Sequence, residues 1–412
     1  MLIFTLALRN ILRNRRRSLL TGLSMFGGYV LIVISFSVQE GTYQHILEAY
    51  TRDNSGHLQI THQSYQDKPT LYKVVPQPND LITRLEHIEF VQAVTPRIQS
   101  AAIAYGSEKT APALLTGIDV VREQQTSYLS DKLTKGQFMA EAPDADGYFQ
   151  AMIGKGLANQ LQLDVGDDLI LISQGADGSL ANDIFKLSAI VGNKDSEEKL
   201  TVYLPLRGIQ QFLVMPDQVH QLIVITDDYK NSIQRTAQIK KVLLSEIQAS
   251  ELDVFPWQVV EQEFYRVMEA DIEGNVIAQY MVIFLVCIGV LNTILMNILE
   301  RTGEVGVLKA IGTTPGRIFS QVLAEAFMLS ILSCIIGLIV AIPVNWYFAN
   351  MGLQLPEPMD ISGLQMDTMM GYTSLWLFVR PAIIIVLATC AVAFFPAYRA
   401  AKIVPLEAMR GL

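Results

Sequence analysis

The pattern that decides the fold lies in residues 276–349, which read VIAQYMVIFLVCIGVLNTILMNIL-ERTGEVGVLKAIGTTPGR-IFSQVLAEAFMLSILSCIIGLIVAIPVNWYFA. Two apolar runs, 276–299 and 319–349, flank a charged stretch, 300–317. Each run exceeds the roughly 20 residues that an α-helix needs to cross a bilayer. The charged stretch is too short to be a domain and too polar to lie in lipid. We therefore predict two membrane-spanning helices joined by a short helical turn at the membrane surface.

The composition of the whole chain also points to a membrane protein. Half of its 412 residues are hydrophobic, and its mean hydropathy of +0.30 is high for a soluble protein. Four apolar runs are long enough to span a bilayer: 18–40, 276–299, 319–349 and 375–398. The first run is longer than a signal-peptide core and lacks a small-residue cleavage pattern, so we expect it to remain as an anchor.

The distribution of charge predicts the orientation, because Lys and Arg collect on short cytoplasmic flanks. Basic residues precede the first span, separate the second from the third, and follow the fourth: Arg9, Arg13, Arg15, Arg16, Arg17, Arg301, Lys309, Arg317, Arg399, Lys402 and Arg410. Segment 41–273 instead holds 32 acidic and 19 basic residues. We predict an inner-membrane, multi-pass protein with both termini cytoplasmic and a large periplasmic domain. The basic cluster near the N-terminus adjoins a span and is suited to anionic lipid headgroups, not to nucleic acid.

These patterns divide the chain into nine segments. They are an interfacial N-terminal helix (1–17), a transmembrane helix (18–40), an extracytoplasmic α+β domain with stalk helices at its ends (41–273), a transmembrane helix (274–299), a cytoplasmic coupling segment (300–317), a transmembrane helix (318–349), an extracytoplasmic loop (350–374), a transmembrane helix (375–398) and a cytoplasmic tail (399–412). The predicted fold class is thus an α-helical membrane protein with four spans and a large α+β domain between the first two.

Segment 41–273 is long enough for a core of its own. Strand-like runs at 91–98 and 101–105 and a helical pattern over 231–247 predict an α+β domain. Residues 38–50 and 262–278 are expected to continue the first two spans outward as stalks. All three cysteines lie inside predicted spans, so no disulfide is expected in this domain.

The charged stretch predicts a compact helical element. Gly303 and Gly312 bracket about two turns, and we expect Val307, Leu308 and Ile311 to share one face. Pro315 is suited to the first position of the helix that follows. The alternative is an ordinary charged loop.

Two stretches resemble the FtsX-like (MacB/Lol-type) permease family of ABC transporters. ERTGEVGVLKAIG (300–312) resembles the family's cytoplasmic docking helix, and FPAYRAAKIVPLEAMR (395–410) resembles its C-terminal signature. The resemblance assigns ATPase coupling to Glu304, Gly306, Val307, Leu308, Lys309, Ala310, Ile311 and Gly312, and the signature to Pro396, Arg399, Ala400 and Pro405. GLANQLQLDVGD (156–167) and TVYLPL (201–206) resemble the MacB-like periplasmic core, and SGHLQI (55–60) looks like the Lol-type lipoprotein-releasing branch.

The resemblance implies a permease subunit, not an enzyme, that works by mechanotransmission in a dimer. It implies a cytoplasmic ABC ATPase dimer that holds ATP and magnesium, a second permease subunit (homo- or heterodimer), membrane lipids, and a periplasmic carrier or adaptor as a further candidate partner. MacB carries a fused N-terminal ATPase domain, whereas this sequence starts at its first membrane helix, which favours a Lol-like split system that releases or exports lipoproteins or other amphiphiles. The alternatives are an FtsX-like module that activates a periplasmic cell-wall hydrolase and MacB-like efflux of peptides or drugs.

Polar residues inside the spans are the remaining candidates, because lipid penalises them. Glu325 lies about two turns into the third span, where it either pairs with a basic residue of the coupling turn or N-terminal helix or is merely interfacial. Asn292 and Asn297 on the second span are expected to face another helix, most simply for packing.

Catalytic chemistry has no support in the sequence. The chain contains neither a Gly-x-x-x-x-Gly-Lys-Ser/Thr loop nor a His-Glu-x-x-His motif. We assign no catalytic residue, no metal ligand and no directly bound cofactor.

Overall fold

A computed structural model describes residues 15–106, 108–194, 196–361 and 364–404, with side chains described from residue 18 and outside 357–365. The chain divides into two compact units. The helical unit takes in the described residues of Met1–Gln44, Met268–Glu357 and Asp367–Leu412, and the α+β domain takes in those of His45–Val267 and Pro358–Met366. The predicted interfacial helix, 1–17, lies outside the described residues except at its last three positions.

Helices are numbered along the described chain. They are α1 (Arg15–Asp53), α2 (Pro78–Glu86), α3 (Val120–Thr126), α4 (Lys155–Leu161), α5 (Leu206–Phe212), α6 (Ser232–Val242), α7 (Leu244–Ala249), α8 (Trp257–Val260), α9 (Gln262–Glu300), α10 (Thr302–Ala310), α11 (Pro315–Asn350) and α12 (Leu375–Lys402). Short 3-10 turns lie at Leu129–Lys132, Glu197–Leu200 and Tyr229–Asn231.

Strands are numbered in the same way. They are β1 (Leu58–His62), β2 (Val75–Pro76), β3 (Val91–Tyr105), β4 (Thr110–Ile118), β5 (Leu133–Gly136), β6 (Gln150–Gly154), β7 (Asp168–Gln174), β8 (Leu180–Val191), β9 (Thr201–Pro205), β10 (Gln218–Val219), β11 (Gln221–Thr226), β12 (Leu252–Pro256), β13 (Leu353–Ile361) and β14 (Leu364–Met369).

Four helices of the described chain are long and apolar enough to cross a membrane: α1, α9, α11 and α12. The predicted fold class, four spans with an α+β domain between the first two, is therefore confirmed. Helices α1 and α9 each contain 39 residues, which corresponds to about 58 Å at 1.5 Å per residue. This length is nearly twice the ~30 Å hydrocarbon thickness of a bilayer, so each helix is long enough to include both a span and a stalk.

Small residues allow the membrane helices to pack closely. Helix α11 buries a row of mostly small side chains, nearly all at intervals of three or four residues: Ala326, Ser330, Ser333, Cys334, Gly337, Ala341 and Asn345. Helix α12 buries a matching row: Leu377, Pro381, Ile385, Thr389, Ala393, Ala397 and Ala401. A Cβ atom on Gly337 would lie 2.6 Å from the ring of Tyr29 in α1. Such rows are typical of helix packing in lipid, where dispersion contacts replace the hydrophobic effect.

The α+β domain is built on a ten-stranded mixed sheet. Its main path runs β12-β1-β11-β3-β4-β9-β6-β8-β5, and β7 pairs with β3 and β8. Helices α2, α4 and α5 contribute Leu85, Leu157 and Ile209 to the fully buried core beside the sheet. The domain therefore has a core without any disulfide.

Two local predictions in this domain were wrong. The runs 91–98 and 101–105 form one strand, β3, because residues 99–100 stay paired with β4 across the expected break. The helix predicted over 231–247 is two helices, α6 and α7, separated at Leu243.

Candidate functional site

The coupling segment forms a helix with a well-defined end. Helix α10 is followed by Gly312 at φ +99°, a left-handed conformation that glycine adopts without strain. The N–H of Gly312 donates to the carbonyl of Lys309 at 3.1 Å, and that of Thr313 donates to the carbonyl of Leu308 at 3.0 Å. These two bonds form a Schellman motif, which turns the chain sharply toward Pro315 at the start of α11.

Helix α10 has an exposed apolar face that differs from the predicted one. Val307 and Ile311 are 48% and 74% exposed, and Glu304 and Ala310 are exposed beside them. Leu308 is half-buried and lines an internal cavity. Leu308 is turned toward this cavity while Val307 and Ile311 are exposed, so the exposed face does not include Leu308 as predicted.

Lys309 ties the coupling helix to the C-terminal signature. Its Nζ donates to the carbonyl oxygens of Ala401 at 2.8 Å and Ile403 at 2.7 Å. These carbonyls lie at the end of α12, where the last carbonyls of a helix lack intrahelical partners and carry partial negative charge. The ammonium therefore caps α12 and joins two stretches that are 92 residues or more apart in sequence.

Arg301 ties the same helix to α11. Its Nη1 lies 3.3 Å from Oε2 of Glu325, and its Nε donates to Oε2 of Glu304 at 3.0 Å. Gln321 also donates to Glu325, at 3.4 Å. Glu325 thus forms the ion pair with the coupling turn that was one of its two expected roles.

A cavity of about 80 Å³ lies beneath α10. Leu308, Arg301, Glu325 and Asn297 line it, together with apolar side chains of α9 and α11 and with Met25 of α1. Among the described residues, the buried Oδ1 of Asn297 has no hydrogen-bond partner. The cavity is large enough for several water molecules, so a water molecule can satisfy this oxygen.

The remaining predicted site residues have mixed environments. Gly306, Pro396 and Ala400 are buried, whereas Arg399 is exposed. Pro405 lies outside the described residues. Asn292 is exposed on the surface of α9, so it is not packed against another of the described helices, contrary to the expectation that it faces a helix.

Sequence reasoning missed a buried ion pair that anchors the end of α1 within the α+β domain. Arg97 and Glu123 are 4% and 1% exposed, and their charged atoms lie 2.5 Å apart. Nη1 of Arg97 also donates to the carbonyls of Asp53 at 2.8 Å and Asn54 at 2.6 Å. The guanidinium therefore neutralises Glu123 and caps α1, as cations at helix C-termini do. The sequence feature that could have indicated this pair is Arg97, the single basic residue of β3.

Side-chain pairs also join α1 to α9. In the α+β domain, the rings of Tyr50 and Phe264 stack with centroids 3.6 Å apart. In the helical unit, the side chain of Asn275 donates to the hydroxyl of Tyr43 at 2.7 Å, and that of Gln279 donates to Gln39 at 2.6 Å. The two long helices are therefore in contact in both units.

In the part of the chain that the structure describes, no group of three or more His, Cys, Asp or Glu residues could hold a metal ion. His57 is buried, and its Nδ1 lies 3.1 Å from the hydroxyl of Thr226. This contact is sufficient to explain its position.

Comparison with known proteins gives matches along most of the chain. A family model described as FtsX-like permease C-terminal matches residues 276–405, and one described as MacB-like periplasmic core domain matches residues 18–242. The macrolide export ATP-binding/permease protein MacB of Campylobacter jejuni is 23% identical over 98% of this chain and 61% of its own length. The lipoprotein-releasing system transmembrane protein LolC of Xylella fastidiosa is 22% identical over 78% of each chain.

Solved structures include a partial match. The crystal structure of the periplasmic region of MacB from Actinobacillus actinomycetemcomitans aligns with a TM-score of 0.39 and 17% identity, over 54% of this chain and 98% of its own. The chain spans about three fifths of the length of the macrolide export relatives it matches.

Proposed function

The chain belongs to the MacB/Lol-type family of ABC transporter permeases, and on this basis we propose that it couples ATP hydrolysis by a separate cytoplasmic ATPase to movement of its α+β domain. The observation that carries the proposal is the construction of α10. Its exposed face presents Val307 and Ile311, while Lys309 and Arg301 tie it to α12 and α11. A push on that face would therefore be passed to two membrane helices.

The proposed path continues through α1 and α9. Both helices are long enough to extend beyond a bilayer, and side chains join them at Tyr43 and Asn275 and at Tyr50 and Phe264. We propose that this pair of helices transmits displacement, because the side-chain contacts join one helix to the other. ATP and magnesium would be bound by the partner ATPase dimer and not by this chain.

A second permease subunit is proposed to cover α9, the least buried of the four candidate spans. An exposed asparagine amide in hydrocarbon lacks hydrogen-bond partners, so Asn292 would be better placed against another subunit. In purified dimers we expect an Asn292→Cys variant to form a disulfide or bismaleimide crosslink between subunits. Ile339→Cys, an exposed position on α11, serves as the lipid-facing control; crosslinking at Ile339 alone would refute this interface.

The orientation proposed is both termini in the cytoplasm of an inner-membrane protein, with the α+β domain in the periplasm. This arrangement rests on the basic flanks of the spans and puts α10 on the side where ATP is made available. It leaves the α+β domain free to contact a periplasmic carrier or adaptor.

The substrate class we propose is a lipoprotein or another amphiphile. The support is the kinship with a lipoprotein-releasing protein and an open cavity of about 770 Å³ in the α+β domain whose apolar lining includes Ile103, Leu114 and Leu180. The membrane complex should therefore co-purify with acylated protein, detected by lipid and protein mass spectrometry. A bound cell-wall hydrolase would support signalling instead, and a macrolide or peptide would support efflux.

Docking on the ATPase provides the direct test of coupling. A carboxylate at Ile311 would be buried unpaired in a docked interface, at a cost of several kcal/mol. Ile311→Asp should abolish co-purification with the ATPase or stimulation of its hydrolysis. Gly316→Asp is the matched control, because Gly316 is exposed, lies outside α10 and has open space around its Cβ position. If the Ile311→Asp variant still binds the ATPase normally, this face of α10 is not the docking surface.

A further inference from the structure

A polar cavity of about 400 Å³ lies within the α+β domain, where the chain leaves α1 and enters α9. Asn54 follows the end of α1 and Glu261 precedes the start of α9, and both line the cavity. Side chains of the sheet, among them Gln99 and Gln221, form another part of the wall. The cavity therefore lies beside the end of α1 and the start of α9.

Three carboxylates line this cavity: Glu197, Glu198 and Glu261. Only Glu198 has a cationic partner among the described residues, since Lys132 bonds to it and to Asp53. Glu197 accepts a hydrogen bond from the amide of Asn54 at 3.0 Å, and Glu261 accepts one from the hydroxyl of Tyr50 at 3.1 Å. Two acids are therefore hydrogen-bonded to neutral donors, and the charge of Lys132 acts on Glu197 only without a direct contact.

The protonation behaviour of these acids agrees with this shortage of positive charge. Glu197 is exposed and lines the cavity, yet desolvation of its carboxyl group, with Glu198 and Glu261 nearby, raises its pKa to about 7. Desolvation also raises the pKa of Glu261. A bound cation would remove this penalty.

A buried acceptor provides an independent sign of a missing donor. Gln221 is only 5% exposed, and its side-chain N–H donates to Gln99 at 3.2 Å. Its Oε1 is buried and has no hydrogen-bond partner in the described chain. An unsatisfied buried acceptor costs about 1–3 kcal/mol, so a ligand that donates a hydrogen bond here would be favoured.

Apolar surface lies beside the charged wall. Leu114, Val260 and Pro69 line the same cavity. Leu114 and Pro69 also line the adjoining open cavity of about 770 Å³. The combined space suits a molecule with one cationic end and an aliphatic body. A metal ion fits less well, because no three acidic or histidine ligands of the described residues converge.

We infer that this cavity binds a protonated aliphatic amine, whose ammonium group donates to Glu197, Glu261 and the free Oε1 of Gln221 while its alkyl part lies against Leu114 and Val260. The ammonium supplies three donors and no acceptor, which matches the three acceptors. The amine can be a free small molecule or the side chain of a lysine in a peptide. Glu261 precedes α9, and Glu197 is hydrogen-bonded to Asn54, which follows α1. The bound amine would therefore connect the end of α1 to the start of α9.

The site is tested by calorimetric titration of the full chain in a non-ionic detergent, without the ATPase. n-Butylamine has the chemistry of a lysine side chain, and 1-butanol is its uncharged counterpart. We expect n-butylamine to bind and 1-butanol not to bind. Equal binding of the two would overturn the inference, because the pocket would then recognise the alkyl chain alone. Binding of MgCl₂ with no binding of the amine would also overturn it.

Substitutions of the cavity carboxylates test whether n-butylamine binds in this cavity. Glu261→Gln and Glu197→Gln should each weaken n-butylamine binding about tenfold or more, since each removes a charge-assisted hydrogen bond. Glu89→Gln, an exposed acid elsewhere in the same domain, should bind as the unmodified chain does. Unweakened binding in both cavity variants would overturn the site.

The pH dependence keeps the test valid if a variant fails to fold. The amine stays protonated between pH 8 and pH 6, whereas Glu197 gains a proton as the pH falls through about 7. The affinity of the unmodified chain for n-butylamine should therefore fall on acidification. The other charged groups near the site are Glu198, Lys132, Asp53 and Arg97. A constant affinity would contradict the inference.

The two possible sources of the amine are separated by a final comparison. An acetylated, amidated Gly-Lys-Gly peptide should bind if the open cavity admits a peptide backbone. If n-butylamine binds and the peptide does not, the site is assigned to free amines. Because none of these measurements involves the ATPase or transport, their failure would leave the proposed coupling function intact.

Discussion

The ammonium of Lys309 lies 2.8 Å from the carbonyl oxygen of Ala401, and this contact joins the coupling helix to the end of the last membrane helix. A second bond, to the carbonyl of Ile403 at 2.7 Å, makes the contact bidentate. Arg301 makes a comparable link to Glu325 on α11. Helix α10 is thereby held to two membrane helices, while its face with Val307 and Ile311 remains exposed.

Replacement of Lys309 by methionine should break the link between α10 and the end of α12. The substitution keeps most of the aliphatic chain but removes two charge-assisted hydrogen bonds, each worth about 1.5–3 kcal/mol. We expect the ATPase still to bind but its stimulation by the permease to fall. ATP turnover of the reconstituted complex is the measurement. Lys402→Met is the control, because Lys402 is exposed and contacts the ring of Tyr398; equal losses in both variants would argue against a special role for Lys309.

Replacement of Glu325 by glutamine should weaken the link between the coupling turn and α11. The protein should remain inserted, because removing a charge from a membrane helix does not oppose insertion, but coupled ATP turnover should drop. A double-mutant cycle with Arg301→Gln tests the pair itself. If the two residues act through each other, the double variant should be no worse than either single variant. Fully additive losses, or unchanged turnover in Glu325→Gln, would contradict this role.

Replacement of Glu123 by glutamine should destabilise the α+β domain strongly. It leaves the guanidinium of Arg97 buried without its counter-charge, which typically costs about 3–5 kcal/mol. The measurement is the unfolding transition of the full chain in denaturant. Glu86→Gln is the matched control, since Glu86 forms an exposed ion pair with Arg122 and such pairs contribute about 0–1 kcal/mol. A loss in Glu123→Gln as small as in the control would mean that the buried pair does not anchor the end of α1.

The proposed orientation is tested by labelling of single cysteines. In a variant whose Cys287, Cys334 and Cys390 are replaced by alanine, thiols are introduced at Asp177 or Thr314, both exposed. A membrane-impermeant maleimide added outside should modify the first and spare the second until the membrane is broken. The opposite pattern would reverse the orientation and with it the docking proposal.

Replacement of Leu308 by aspartate distinguishes the two faces of α10. Leu308 lines the cavity that also contains Glu325, so the new carboxylate would repel Glu325 and compete for Arg301. We expect a thermal unfolding midpoint below that of Ile311→Asp, whose charge is solvated when the ATPase is absent. Thermal unfolding of the isolated permease gives the comparison; equal midpoints would mean that Leu308 is not part of the internal packing.

The sequence determined the membrane architecture because that information is local. A span is recognised from about 20 successive apolar residues, as in 276–299, and the coupling helix from its bracketing glycines and the proline at 315. The resemblance at 300–312 and 395–410 identified the family from short contiguous motifs. The division into spans and an inserted α+β domain followed directly.

Only the tertiary structure decided which side chains act together. The partners of Lys309 are 92 and 94 residues away, and Glu123 is 26 residues from Arg97. The orientation of Leu308 depends on how α10 rolls against its neighbours, and the partnerless oxygen of Gln221 depends on which donors the folded sheet brings near it. Such pairings are set by packing across the fold, where hydrogen bonds and ion pairs form over a few ångströms regardless of sequence distance, so a local pattern of residues carries no record of them.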